Sequence, residues 1–221
     1  LGAYQQALST NCRSILLRSA MRHFCAGADV NAFTGGSKRR DQAGLEQLLA
    51  DLEDVPLPSV AAVHGAALGG GLELAVTCDM IVAADTSTFA MSESALGLLP
   101  LLGGVQRVTQ RVGPVRAKEL AMFGRRNDPA TLERWGLINL VVPEAQLPDV
   151  SLSWARQLAA GPTVALNGIK TLANLSTRHG IKGADARQIE INNRMWASND
   201  HKRGLEAFAA TGPGTAVFAG D

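Results

Sequence analysis

Apolar positions in the first two thirds of the chain fall into short runs separated by segments of helical period. SILLRS (14–19) has strand character, SVAAVHG (59–65) and DMIVAAD (79–85) read as buried strands, and LINLVV (137–142) as the last strand. TFAMSE (88–93) reads as a short strand running into a turn. Between them, Asp41 opens an amphipathic helix with Leu45, Leu48, Leu49 and Leu52 at helical spacing, and VPLP (55–58) stops it. A helical pattern also starts at Gly69 and continues through GGGLELAVTC. GGVQRVTQRVG (103–113) and PVRAKELAMFG (114–124) each end at a glycine, as a C-cap would. DPATLERWG (128–136) predicts a short helix with proline in its first turn. Two segments carry no such pattern: HFCAGADV (23–30), a turn of small residues, and TGGSKRR (34–40), a polar loop expected to be mobile.

From Pro148 to about Ala210 the pattern is helical throughout. Strands alternating with helices predict an α/β layered domain, and the helices that follow predict an appendage of the kind used in oligomerisation. No repeat with a period of roughly 20–50 residues is present. The chain opens on LGAYQQALS, which reads as the tail of a helix, so the natural N-terminus is expected to lie upstream.

Composition narrows the function classes. The 221 residues suit one domain or a domain with an appendage. A net charge of +1 leaves no electrostatic footprint for nucleic acid. The three cysteines, Cys12, Cys25 and Cys78, are odd in number and lack metal-ligand spacing, which suggests reduced thiols and a cytoplasmic protein. No signal peptide is visible. No apolar run reaches the ~18 residues of a membrane span, so no membrane partner is expected.

The candidate chemistry starts at GAALGGGLE (65–73), where three glycines run into an acid. The first N–H groups of a helix lack partners, and glycines there uncover them for a ligand oxygen. Tight helix–sheet packing explains the same glycines equally well. The spacing matches neither a P-loop nor a dinucleotide fingerprint. Glu73 is a favourable first-turn acid on dipole grounds alone, yet its neighbours Leu72, Leu74 and Ala75 supply the apolar surroundings that raise a carboxyl pKa toward acid–base work. Glu93, in FAMSESALG, is a second carboxylate following a strand, and paired carboxylates on separate elements can share proton transfers. The HFCAGADV turn could point one further N–H into the same pocket.

FCAGADV (24–30), AAVHGAALGGGLELAVTCDMIVA (61–83), FAMSESALGLLPLLGGVQRV (89–108) and NDHKRGLEAF (199–208) together resemble the crotonase family, the enoyl-CoA hydratase/isomerase group, over essentially the whole chain. The resemblance implies an α/β fold: a spiral of ββα units over residues 1–147, with its first strands missing, and a C-terminal helical trimerisation region over 148–221. It implies an acyl-CoA thioester as substrate, a homotrimer or homohexamer, and neither a metal nor a redox cofactor, coenzyme A being part of the substrate. Ala28 and Gly70 would donate N–H bonds to the thioester carbonyl as an oxyanion hole. Ala26 would meet the adenine of coenzyme A, and Ala28, Asp29, Val30 and Asn31 would border the ligand. Glu73 would activate water for attack on the β-carbon, and Glu93 would protonate the α-carbon. Retention of both acids favours hydration over double-bond isomerisation, the runner-up, and over a non-catalytic acyl-CoA- or RNA-binding relative.

The chain departs from the family pattern at three places. Leu101 stands where hydratases carry a glycine after the proline, so it is a candidate wall of the substrate pocket near Glu93. Asn31 replaces a lysine that many members place near the nucleotide phosphates. The tail TGPGTAVF (211–218) lacks the usual basic residue, leaving Arg22, Lys38 or a neighbour's C-terminal helix as phosphate candidates. His64, Cys25, Cys78 and the tryptophans Trp135, Trp154 and Trp196 are expected to pack rather than react.

Overall fold

The computed structural model of the chain describes residues 2–29 and 42–221. Its elements begin with helix α1 (Gly2–Ser9), strand β1 (Ile15–Leu17) and helix α2 (Gln42–Glu53). Then follow β2 (Ser59–Val63), β3 (Ala66–Leu68), α3 (Gly70–Ala75), β4 (Met80–Ala84), β5 (Thr88–Ala90) and a 3-10 turn at Ser92–Leu96. Next come α4 (Gly104–Phe123), α5 (Pro129–Arg134), β6 (Leu140–Val142), a second 3-10 turn, α6 (Leu147–Ala160), α7 (Thr163–Trp196) and α8 (Asn199–Thr211).

Two sheets organise these elements, one in the order β1-β2-β4-β6 and one pairing β3 with β5. β2 runs parallel to β4, β4 to β6, and β3 to β5. Parallel neighbours need a crossover, and here each crossover passes through the other sheet and then a helix: β2, β3, α3, then β4, β5, α4. This is the expected ββα spiral. Every residue of β2 is buried, as are four of the five in β4, the pattern of strands covered on both faces. Asp79 pins the start of this pair, its Oδ2 accepting from the N–H and hydroxyl of Ser59 at 2.7 and 2.8 Å.

The chain divides into two compact units. The first gathers Leu16–Glu53 and Ser59–Leu152, and the second Gly2–Ile15, Asp54–Pro58 and Ser153–Asp221. Helix α1 therefore shares a unit with the C-terminal helices. The core of the first unit is built on Phe24, Leu72, Ile81, Phe89, Met91, Val108, Leu132 and Leu137. Arg111 reaches into it and donates to the carbonyls of Val76 and Cys78, which closes the C-terminal end of α3. In the second unit, buried Asp200 accepts from the N–H groups of Ala219 and Gly220 at 2.8 and 2.7 Å and pairs with Arg203. The chain's last residues are thereby tied to the start of α8.

Strand β3 is the element that periodicity misses. Ala66, Ala67 and Leu68 are few and mostly alanine, a residue without β preference, and the strand exists because β5 and Cys25 pair with it on either side. The triple glycine thus follows β3 directly, not the 59–65 strand. The two helices expected at 103–124 are joined in α4, with the break at Gly113 (φ 76°, ψ 166°). α7 breaks in the same way at Gly180. The loop expected to be mobile at 34–40 lies outside the described residues, as do Lys38 and the starting Asp41 of the predicted helix.

Candidate active site

The three glycines at the β3–α3 junction, Gly69 before α3 and Gly70 and Gly71 in its first turn, are required for three different reasons. Gly69 has φ 52° and ψ −124°, a conformation that side chains disfavour, and its N–H donates to Ala90 O at the end of β5 at 2.8 Å. A β-carbon on Gly69 would lie 3.1 Å from Glu93 Oε1. One on Gly70 would lie 3.9 Å from Glu73 Oε2 and 3.7 Å from Leu102 Cδ1. One on Gly71 would lie 2.1 Å from the carbonyl oxygen of Cys25, an impossible overlap. The first glycine therefore faces one candidate acid, the second faces the other, and the third lets α3 press against the 24–28 turn. The close-packing reading of the motif holds at Gly71.

Glu73 is 2% exposed. Its Oε1 accepts two backbone N–H bonds, from Leu102 and from Gly104, each 2.9 Å long. Gly104 is the first residue of α4, so the carboxylate sits at the N-terminus of the helical segment that runs to the break at Gly113, where a negative charge is favoured. Burial pushes the Glu73 carboxyl pKa up, and the two N–H bonds and the Arg107 cation oppose that push.

Glu93 stands in the 3-10 turn after β5, and both its carboxyl oxygens are buried without a hydrogen-bond partner among the described residues. Burial raises its pKa, and the nearby charge of Glu73 raises it further. The two acids are thus brought together around Gly69 and Gly70 with contrasting environments. Burial raises the pKa of both carboxyls, but Glu73 alone has two N–H donors and a nearby cation that oppose the rise.

The 24–28 turn is fastened to the same place. Cys25 N–H donates to Ala66 O at 3.1 Å, and Leu68 N–H donates to Cys25 O at 3.0 Å. Gly27, at φ 92°, leaves no room for a side chain: a β-carbon would lie 2.8 Å from Leu68 O and 3.8 Å from the Gly70 nitrogen. The backbone preceding Ala28 therefore runs beside Gly70, and among the described residues neither the Ala28 nor the Gly70 N–H has a hydrogen-bond partner. Ala26, Ala28 and Asp29 are exposed on this turn. Val30 and Asn31 lie outside the described residues.

Other candidates resolve more simply. His64 donates from Nε2 to Met21 O at 2.8 Å, which fastens the 21–24 segment to the end of β2. Cys78 is buried and Cys25 half-buried. Trp135 packs on the core beneath Arg116, whereas Trp196 is exposed and meets His201 edge-on. Arg22 is exposed.

Leu101 is half-buried, but the side chain of that turn that reaches Gly70 belongs to Leu102. Leu102, Gly104 and Arg107 were not legible as site residues. A signal existed in retrospect: GG at the head of a long helix without an acid of its own in the first turn is a place for a carboxylate from elsewhere.

The family match fits this geometry. A family model described as enoyl-CoA hydratase/isomerase matches residues 3–215, and the chain belongs to that family. It is 34% identical over 202 residues to a carnitinyl-CoA dehydratase of Proteus mirabilis, covering 89% of this chain and 77% of that protein. It is also 34% identical to a probable enoyl-CoA hydratase of Rhizobium meliloti, over 201 residues, with the same shares covered. Among solved structures, an enoyl-CoA hydratase from Bacillus anthracis superposes with a TM-score of 0.90 at 28% identity, over 100% of this chain and 88% of that one.

Proposed function

We propose that the protein is an enoyl-CoA hydratase that adds water across the α,β double bond of an enoyl-CoA thioester. The observation that carries this reading is that two carboxyls meet around Gly69 and Gly70 in unlike settings, Glu73 held by two backbone N–H donors and Glu93 by none among the described residues, which suits a division of base and acid roles. Glu73, held by two N–H donors, is the base. It takes a proton from water as the hydroxyl oxygen bonds to the β-carbon. The electron pair of the double bond moves toward the thioester, and negative charge develops on its carbonyl oxygen. Ala28 and Gly70 supply the N–H donors for that oxygen, each worth about 2.7–4 kcal/mol by analogy with other oxyanion holes. Glu93, protonated, delivers its proton to the α-carbon, and the proton on Glu73 returns the pair to its starting state. Water provides both added groups, so the reaction balances without an oxidant or a metal.

The same arrangement run in reverse removes water from a 3-hydroxyacyl-CoA, which is the direction named in the dehydratase relative. Isomerisation needs only one shuttling acid and would leave the hydrogen bonding of Glu73 without a purpose. Ala26 and the 28–31 segment remain the proposed border of the CoA moiety, with Leu101 a proposed wall of the acyl pocket. Assembly into a homotrimer or homohexamer and action in the cytoplasm, without nucleic acid or membrane, complete the reading. The test is loss of conjugated-thioester absorbance on incubation with crotonyl-CoA and longer enoyl-CoA substrates. Hydration is expected. Retained acyl-CoA binding with no hydration at any chain length would overturn the proposal.

A further inference from the structure

The turn that holds Glu73 is itself held from its other side. Arg107, on the second turn of α4, donates from Nη1 to Leu102 O at 3.2 Å and to Gly103 O at 3.3 Å. Its Nη2 donates to Glu53 Oε2 at 2.9 Å, and the two side chains of this ion pair are only 12% and 16% exposed. Gly103, at φ 83°, makes room for the guanidinium, because a β-carbon there would lie 2.6 Å from Nη1. The carbonyls of residues 102 and 103 are therefore clasped by Arg107, while the N–H groups of residues 102 and 104 are aimed at Glu73. One short turn connects a buried ion pair on α2 and α4 to the carboxylate on α3.

We infer that Arg107 is a positioning residue for the base: it holds the 102–104 turn in the shape that binds Glu73, and Glu53 holds Arg107 in place. This rests on Glu73 being the base of hydration. The planar fork matters, since one nitrogen bridges two carbonyls while another takes the carboxylate, which a lysine ammonium cannot reproduce. Among the described residues, the charged groups that face Glu73 are Arg107 from α4 and Glu93 from the 3-10 turn, with Glu53 acting through Arg107. The cation favours the Glu73 anion, so its loss raises the pH at which Glu73 ionises.

Three variants and two readouts test this. In Arg107→Gln, kcat for enoyl-CoA hydration is expected to fall about 100-fold, the scale of a misplaced catalytic group, and the acidic limb of the kcat/KM profile to move to higher pH. Arg107→Lys keeps a cation but loses the clasp on the turn, so kcat still falls and its acidic limb moves to higher pH by less than in Arg107→Gln. Glu53→Gln keeps an amide oxygen to accept from Arg107 Nη2, so Arg107 stays in place while its countercharge is lost, and the acidic limb moves to lower pH. The ionisation of Glu73 is also followed without turnover, by carbon-13 NMR of glutamate-labelled protein assigned with Glu73→Gln, and it is expected to move in the same directions. An Arg107→Gln protein that loses rate with an unmoved profile and unmoved Glu73 ionisation would show a merely structural arginine and overturn the inference. So would shifts of Arg107→Gln and Glu53→Gln in the same direction. If Arg107→Gln fails to fold, the opposite behaviours expected of Arg107→Lys and Glu53→Gln still decide the matter. If the wild type hydrates no enoyl-CoA, the proposed function falls, while the NMR titration still decides the role of Arg107.

Discussion

Gly104 donates its N–H to Glu73 Oε1 at 2.9 Å, and the same glycine leaves the space that the Glu73 side chain fills, since a β-carbon at 104 would lie 2.5 Å from Glu73 Cγ. The donor and the cavity for the Glu73 carboxylate come from one residue. In Gly104→Ala the carboxylate has to move, so hydration is expected to drop about 100-fold or more. Overpacking at this buried position is expected to cost about 1–3 kcal/mol in urea unfolding. Wild-type turnover in this variant would contradict the assigned role of Glu73.

Neighbouring glycines separate function from stability. In Gly70→Ala the new methyl finds ordinary contact distances, 3.7 Å to Leu102 and 3.9 Å to Glu73. Its stability is expected within about 1 kcal/mol of wild type. The methyl projects toward Leu102 and Glu73, into the space proposed for the reacting part of the substrate, so kcat/KM is expected to fall roughly 100-fold. In Gly71→Ala the methyl meets Cys25 O at 2.1 Å, which α3 can relieve only by moving away from the 24–28 turn. That variant is expected to be destabilised by about 1–3 kcal/mol or more in chemical denaturation.

Glu73→Gln keeps an oxygen able to accept from Leu102 and Gly104 but cannot take a proton from water. A loss of roughly 100- to 10,000-fold in kcat is expected, with the melting temperature preserved. Full activity in this variant would remove Glu73 from the mechanism.

The raised pKa of Glu93 carries a stability prediction with a definite sign. Its carboxyl pKa is higher in the folded protein than the 4.5 of an ordinary glutamate, because of burial and then of the Glu73 charge. Between those two values the folded state binds more protons than the unfolded state, so stability falls as pH rises through the folded pKa. Glu93→Gln removes that charge. Its melting temperature is expected to exceed that of the wild type at about pH 8, and the advantage is expected to vanish below about pH 4, where both states of the wild type are protonated. Activity should be lost at both pH values. A melting difference independent of pH would show that Glu93 is not held in the neutral-favouring environment described here.

At the other end of the chain, Asp200 accepts from the N–H groups of Ala219 and Gly220. Asp200→Ala leaves those donors without their acceptor and is expected to cost about 1–3 kcal/mol. Hydrogen exchange at Gly220 is expected to quicken ahead of exchange in β2 and β4, because a tail opens locally while core strands open only with the whole unit.

The order of strands and helices was largely written in local patterns. Buried β2 and β4 announce themselves because a strand covered on both faces must be apolar at every position, and α5 carries its own N-cap, Asp128 accepting from Thr131 N–H at 2.8 Å. GGGLE and the glutamate of FAMSE also marked a place for chemistry, while close helix packing and a first-turn dipole contact explained the glycines and Glu73 equally well. What no local pattern could supply is the meeting of parts. β3 is a strand only because β5 and the Cys25 segment flank it. Gly69 and Gly71 look alike in sequence and differ because one faces Glu93 and the other the backbone of Cys25. The contrast between the two acids is likewise tertiary: Glu73 finds its donors 29 and 31 residues away, at Leu102 and Gly104, and Glu93 finds none among the described residues. Residue type decides which groups can carry a charge, whereas the environment that favours or disfavours that charge is assembled from segments distant in the chain.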